Sequence, residues 1–163
     1  MNLLSKLFRF KSLEIGNPSC DPKTSGELVA EVTGGANLVE GKQTWELADT
    51  KKDDIDYMKK CCYAELKTME TADLVAAPYY FERVAILSRS KKNYEQEVSF
   101  CERYIAAVEA YYQRHGTDDV ADVRQGPRFQ AIVKRLPKAK ELLACERKVT
   151  SNKALQPTGL RVS

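Results

Sequence analysis

Residues 94–115 read YEQEVSFCERYIAAVEAYYQRH. Within them Tyr94, Val98, Cys101, Ile105, Val108 and Tyr112 recur at steps of four and three. Those steps put side chains on one face of an α-helix, whereas a strand changes face at every residue. The spacing therefore predicts a helix of about five turns with this stripe inward. Asn93 stands at its start with Gln96 three residues later, a capping-box-like spacing. Gly116, just after His115, is a good stop.

The same periodicity extends in both directions. Pro78 suits the first turn of a preceding helix, where its missing N–H costs nothing. Phe81, Val84, Ala85 and Ser88 form its stripe, which Tyr80 and Leu87 widen. Before it, Ile55, Met58, Cys62, Leu66 and Met69 mark one face of another helix, with Asp53 and Asp54 at its N-terminus. After Pro127, Phe129, Ile132, Val133, Leu136, Ala139 and Leu143 mark a further one, which Pro137 is expected to kink or restart. The expected fold is all-α, about four helices at 53–71, 78–92, 94–115 and 127–146. Short connections make them antiparallel hairpins. Val84 and Ile105 are the expected centre of the hairpin core.

Residues 12–52 have another texture. They hold Gly16, Gly26, Gly34, Gly35 and Gly41 with Pro18 and Pro22, the residues that break helices. Leu28, Ala30 and Val32 alternate with other residues, and Gly34-Gly35 could turn into a second short strand ending near Trp45. A lone hairpin is marginal in water, so this segment reads as mostly irregular, anchored to the helices by Trp45. The organisation expected is thus 1–52, an amphipathic and irregular segment; 53–148, a helical domain; and 149–163, a disordered tail.

The stretch 78–105, PYYFERVAILSRSKKNYEQEVSFCERYI, resembles one degenerate tetratricopeptide repeat. Phe81 stands for the early aromatic of the family's first helix, and Val84-Ala85 for its large–small pair. Lys92-Asn93-Tyr94 resembles the turn and opening tyrosine of the second helix, whose apolar and aromatic pair is matched by Val98 and Phe100. Ser88, Glu97, Tyr104 and Glu109 depart from the pattern, and no second copy follows. The resemblance implies a ligand groove lined by the first helix. The matching residues are Tyr79, Glu82, Ile86, Arg89 and Ser90, an aromatic, an apolar side chain and both charge signs. Tyr79, Tyr104 and Tyr111 are the tyrosines read as freest to face a partner, since tyrosine is common at binding hot spots.

Charge and chemistry narrow the function classes. The net charge is +3, but residues 1–11 and 147–163 carry seven Lys and Arg and no acid. A basic body would point to nucleic acid, and here the excess sits mainly at the ends. One internal run is basic: Arg124, Arg128, Lys134, Arg135, Lys138 and Lys140. The one histidine, His115, sits at a predicted helix end, where it reads as a cap rather than a general base. Neither Glu95 with Glu97 nor Asp118 with Asp119 is set for acid–base work. No phosphate-binding glycine loop or HExxH motif is present. Five cysteines, Cys20, Cys61, Cys62, Cys101 and Cys145, match no disulfide or zinc framework and read as free thiols of a cytoplasmic protein.

The reading is a non-catalytic protein-interaction module without cofactor or metal. Its alternative is an adaptor that meets nucleic acid or a membrane surface through the basic ends and the 124–140 patch. Leu3, Leu4, Leu7 and Phe8 share a helical face beside Lys6 and Arg9, so residues 1–11 could lie on a membrane interface. Docking onto the body or fraying is the favoured reading, since so short a helix is marginal alone.

Overall fold

A computed structural model describes residues 22–116 and 121–154. Expectations for residues 1–11, Cys20, Asp118, Asp119 and 155–163 fall outside the described residues. The described chain is mostly helical. In order it forms α1 (Ser25–Thr33), β1 (Leu38–Val39), β2 (Lys42–Gln43), α2 (Thr44–Thr50), α3 (Ile55–Ala72), α4 (Pro78–Ser90) and α5 (Tyr94–His115). A 3-10 turn (Val123–Gln125) then leads into α6 (Pro127–Ala154).

The termini of the helices follow from local chemistry. Asp54 accepts hydrogen bonds from the backbone of Asp56 and Tyr57 at the start of α3. Pro78 opens α4. The Asn93 side chain accepts from the Gln96 N–H at the start of α5, and the Gly116 N–H bonds back to the Tyr112 carbonyl at its end. The α6 helix runs on through Pro137 instead of restarting there, and residues 149–154, expected in the tail, continue it.

The Gly-rich segment is where the expectation fails most. Residues 25–33 are a helix, not a strand. Thr24 and Glu27 form a reciprocal capping box at its start, and Gly34 closes it in the left-handed conformation at φ 60°. A two-residue hairpin does exist, but further on. Leu38 faces Gln43 and Val39 faces Lys42, around Glu40 and Gly41, both at positive φ. Two consecutive positive φ values are what a tight turn between twisted strands demands. Trp45 does not pack into the core of the described residues. It stands 64% exposed on α2, while Leu47 and Val39 turn inward against α3.

The core lies among α3, α4, α5 and α6. Met58, Cys61 and Cys62 from α3 and Phe81, Val84 and Ala85 from α4 are buried in it. Cys101, Tyr104 and Val108 from α5 and Phe129 and Ile132 from α6 complete it. The Phe81 and Tyr104 rings stack at 4.5 Å, and the Phe129 ring lies tilted against Tyr104 at 5.9 Å. Pairs read down one helix and up the next. Phe81 meets Tyr104, and Ser88 bonds Gln96, so α4 and α5 are antiparallel. Glu109, Glu102 and Glu95 of α5 pair with Arg124 before α6 and with Lys140 and Arg147 on it, so those two are antiparallel as well.

Val84 is fully buried as expected, whereas Ile105 is only partly covered. The buried face of α5 is rotated and widened to include Glu97, Phe100, Tyr104 and Tyr111. A helix packed between two others needs two inward faces, and the simple stripe describes only one.

Candidate functional site

Three of the five residues expected to line a groove, Tyr79, Glu82 and Arg89, tie α4 to α2 or α6. The Tyr79 hydroxyl donates to the Ala48 carbonyl of α2 at 3.3 Å. Its ring carries the Arg128 guanidinium at 4.9 Å, and the same Arg128 pairs with Glu82 at 2.7 Å. One arginine of α6 therefore joins two of the five. Ile86 is partly buried beyond them. Ser90 turns its hydroxyl back to the Leu87 carbonyl of its own helix. On the same helix Arg83 donates to the Lys52 carbonyl at 2.6 Å and pairs with Asp53, tying the loop before α3 to α4.

Arg89, the fifth residue, has a different setting. Its guanidinium pairs with Glu97 at 2.8 Å and donates to the Arg135 carbonyl at 3.3 Å. Arg135 also pairs with Glu97, at 3.1 Å, and the Glu97 side chain is 0% exposed. Two arginines thus compensate one buried carboxylate, the usual condition for a charge inside a protein.

Two tyrosines read as free for a partner are structural. The Tyr104 hydroxyl donates to the Ala76 carbonyl at 3.0 Å, and that of Tyr111 to the Asp73 carbonyl at 3.2 Å. Both side chains are buried. A hydroxyl on an aromatic ring can end a buried path at a helix-end or loop carbonyl, which no spacing rule reveals.

The basic run 124–140 is largely compensated. Arg124 pairs with Asp122 and Glu109, Arg128 with Glu82, Arg135 with Glu97, Lys138 with Glu141 and Lys140 with Glu102. The matching acids lie mostly on α4 and α5, far away in sequence, so the run looks bare only when read along the chain.

Elsewhere, His115 lies 2.8 Å by Nε2 from Asp73, the left-handed residue closing α3, and packs against Tyr111. It thus ties two helix ends together. Glu65 of α3 is partly buried where α3 meets α2 and the start of α4. It accepts from the Thr44 hydroxyl at 2.8 Å and the Ala77 N–H at 3.0 Å, and burial pushes its carboxyl pKa up despite those two bonds. A groove of about 350 Å³ runs between the β-hairpin and α3, floored by Leu38, Val39, Ala64 and Tyr63 and edged by Lys60 and Lys67. Among the described residues no group of three or more His, Cys, Asp and Glu could hold a metal ion, and no helix is long and apolar enough to cross a membrane.

Compared with known protein families, with curated proteins and with solved structures, the chain has no significant match.

Proposed function

We propose that the chain is a non-catalytic, cytoplasmic protein-interaction module that offers the α4 face to a peptide or protein partner. Tyr79, Glu82, Ile86, Arg89 and Ser90 are the residues that carry it. The supporting observation is the position of α4. Its outer face forms a seam with α2 through Tyr79 and Ala48, and with α6 through Glu82 and Arg128. The first helices of successive hairpins lie side by side in tetratricopeptide arrays, and the seam fits that reading of α2, α4 and α6. A surface already held by such contacts lowers the ordering cost of recognition. Within it Glu82 and Arg128 contribute the charge contrast and Tyr79 and Ile86 the apolar contact, while Arg89 holds the frame through Glu97. Three buried free thiols, at Cys61, Cys62 and Cys101, fit a reducing compartment. The alternative, nucleic acid or a membrane surface, draws less support, because five of the six cations of the 124–140 run already have acidic partners.

The test is selection of peptides from a displayed random library on the immobilised full chain. Titrations then follow with Ile86→Glu, Glu82→Lys and, as a control away from the seam, Val149→Ala at the far end of α6. The reading expects selected peptides to lose at least about tenfold in affinity, 1.4 kcal/mol, with either seam variant and to keep it with the control. Peptides that bind all three variants equally would defeat it. Arg89→Glu is unsuitable, since it sets a second carboxylate against buried Glu97.

A further inference from the structure

The helix α1 has nine residues, none of them buried. Gly26, Val29, Ala30 and Thr33 turn towards the body and are half-covered, and the Asn37 amide holds the Gly26 carbonyl at 3.0 Å. On the opposite side Leu28 and Val32, 39% and 49% exposed, are neighbours at i and i+4. Glu27 and Glu31 flank them, and the helix itself contains no base. Glu31 pairs with Lys23 just before it at 2.7 Å, and the Glu27 carboxylate accepts from Thr24, so Lys23 offsets one of the two acids. A helix this short is marginal by itself, and two caps with half-covered contacts do little to change that. The outer stripe is therefore an apolar face with an acidic border and no cover among the described residues.

We propose that residues 3–10 of this same chain cover it, setting Leu3, Leu4, Leu7 and Phe8 against Leu28 and Val32. Two features of the sequence select this occupant. The first is charge. Lys6, Arg9 and Lys11 border the apolar residues of the N-terminal stretch, and no acid lies among residues 1–11. That is the complement of the Glu27 and Glu31 border. The second is connection. Residues 11–21 lead directly to Thr24, the cap of α1. Eleven residues reach up to about 36 Å, against about 13 Å for the whole of α1, so the chain can double back over it. The tether gives the segment a high local concentration that a separate partner would not have.

Hydrogen exchange of residues 25–33 in the full chain tests this, with α5 as the internal reference for an intact core. Leu4→Asp with Leu7→Asp should speed exchange in α1 about tenfold and leave α5 unchanged. Lys6→Glu with Arg9→Glu should act in the same direction, and adding Glu31→Lys should restore protection. Unchanged α1 exchange in both sets would overturn the proposal. Protection that rises with protein concentration would overturn it in favour of a second copy as occupant. Full chain that sediments with phosphatidylcholine–phosphatidylserine vesicles, with α1 exchange in solution indifferent to Leu7→Asp, would overturn it in favour of a membrane.

Discussion

Arg135 on α6 reaches Glu97 on α5, its Nη1 3.1 Å from an Oε1 with no exposed surface around it. Arg89 of α4 meets the same carboxylate, so three helices converge on one charge. Replacing both arginines with alanine leaves that charge buried and uncompensated, which should cost about 3–5 kcal/mol in urea unfolding. Glu97→Gln should cost substantially less, because it removes the charge and keeps the shape. Equal losses from the two changes would mean that the ion pairs do not position α6.

The Glu65 carboxyl titrates above its ordinary value in the folded chain, mainly because burial disfavours its charged form. A raised folded pKa gives stability that is present below the unfolded pKa and lost as pH rises through the folded one. Glu65→Gln removes that loss. The stability of the native chain should therefore fall relative to Glu65→Gln as pH rises from about 4 to 7, in denaturant titrations at fixed ionic strength. A constant difference would place the pH dependence elsewhere.

Met58 is fully buried and Ile105 only partly. Truncation to alanine should cost about 2–5 kcal/mol at Met58 and clearly less at Ile105. Thermal or chemical denaturation of the two variants checks the order. A reversed order would mean that α5 is rotated about its axis from the arrangement described.

Burial pushes the thiol pKa values of Cys61 up to about 11 and Cys101 up to about 12, and raises that of Cys62 well above the usual range. Cys145 is exposed on α6. Thiolate and access both govern reactivity, so a thiol-specific disulfide reagent at neutral pH should modify Cys145 before the other three described cysteines. Cys61, Cys62 and Cys101 should react only after denaturant is added, as read by peptide mapping.

The four long helices are legible because their periodicity is strong and their caps are conventional, as at Asn93, Pro78 and Gly116. Positions that answer to more than one neighbour are less so. Glu97 reads as surface on a single helix and becomes core only when Arg89 and Arg135 arrive from two others. Tyr104 and Tyr111 read as partner-facing because nothing local places Ala76 or Asp73 at their hydroxyls. In α1 the alternation of Leu28, Ala30 and Val32 suggests a strand, while Thr24, Glu27 and Gly34 set the ends of a helix. The caps prevail, since a strand at that place would have no partner to satisfy its backbone. As for the α4 face, the sequence names the residues, but their links to Ala48 and Arg128 are matters of packing alone.

The Tyr112 hydroxyl donates to the Ala121 carbonyl and accepts from the Val123 N–H, both at 2.8 Å. Arg124 lies over the same ring at 4.5 Å and reaches Glu109. The chain just before α6 is therefore clasped to α5 itself. That clasp holds the start of α6 whatever the length of the link at residues 117–120. Extra residues placed there would add only a slowly growing loop-closure entropy, making it a natural place to splice in a reporter peptide.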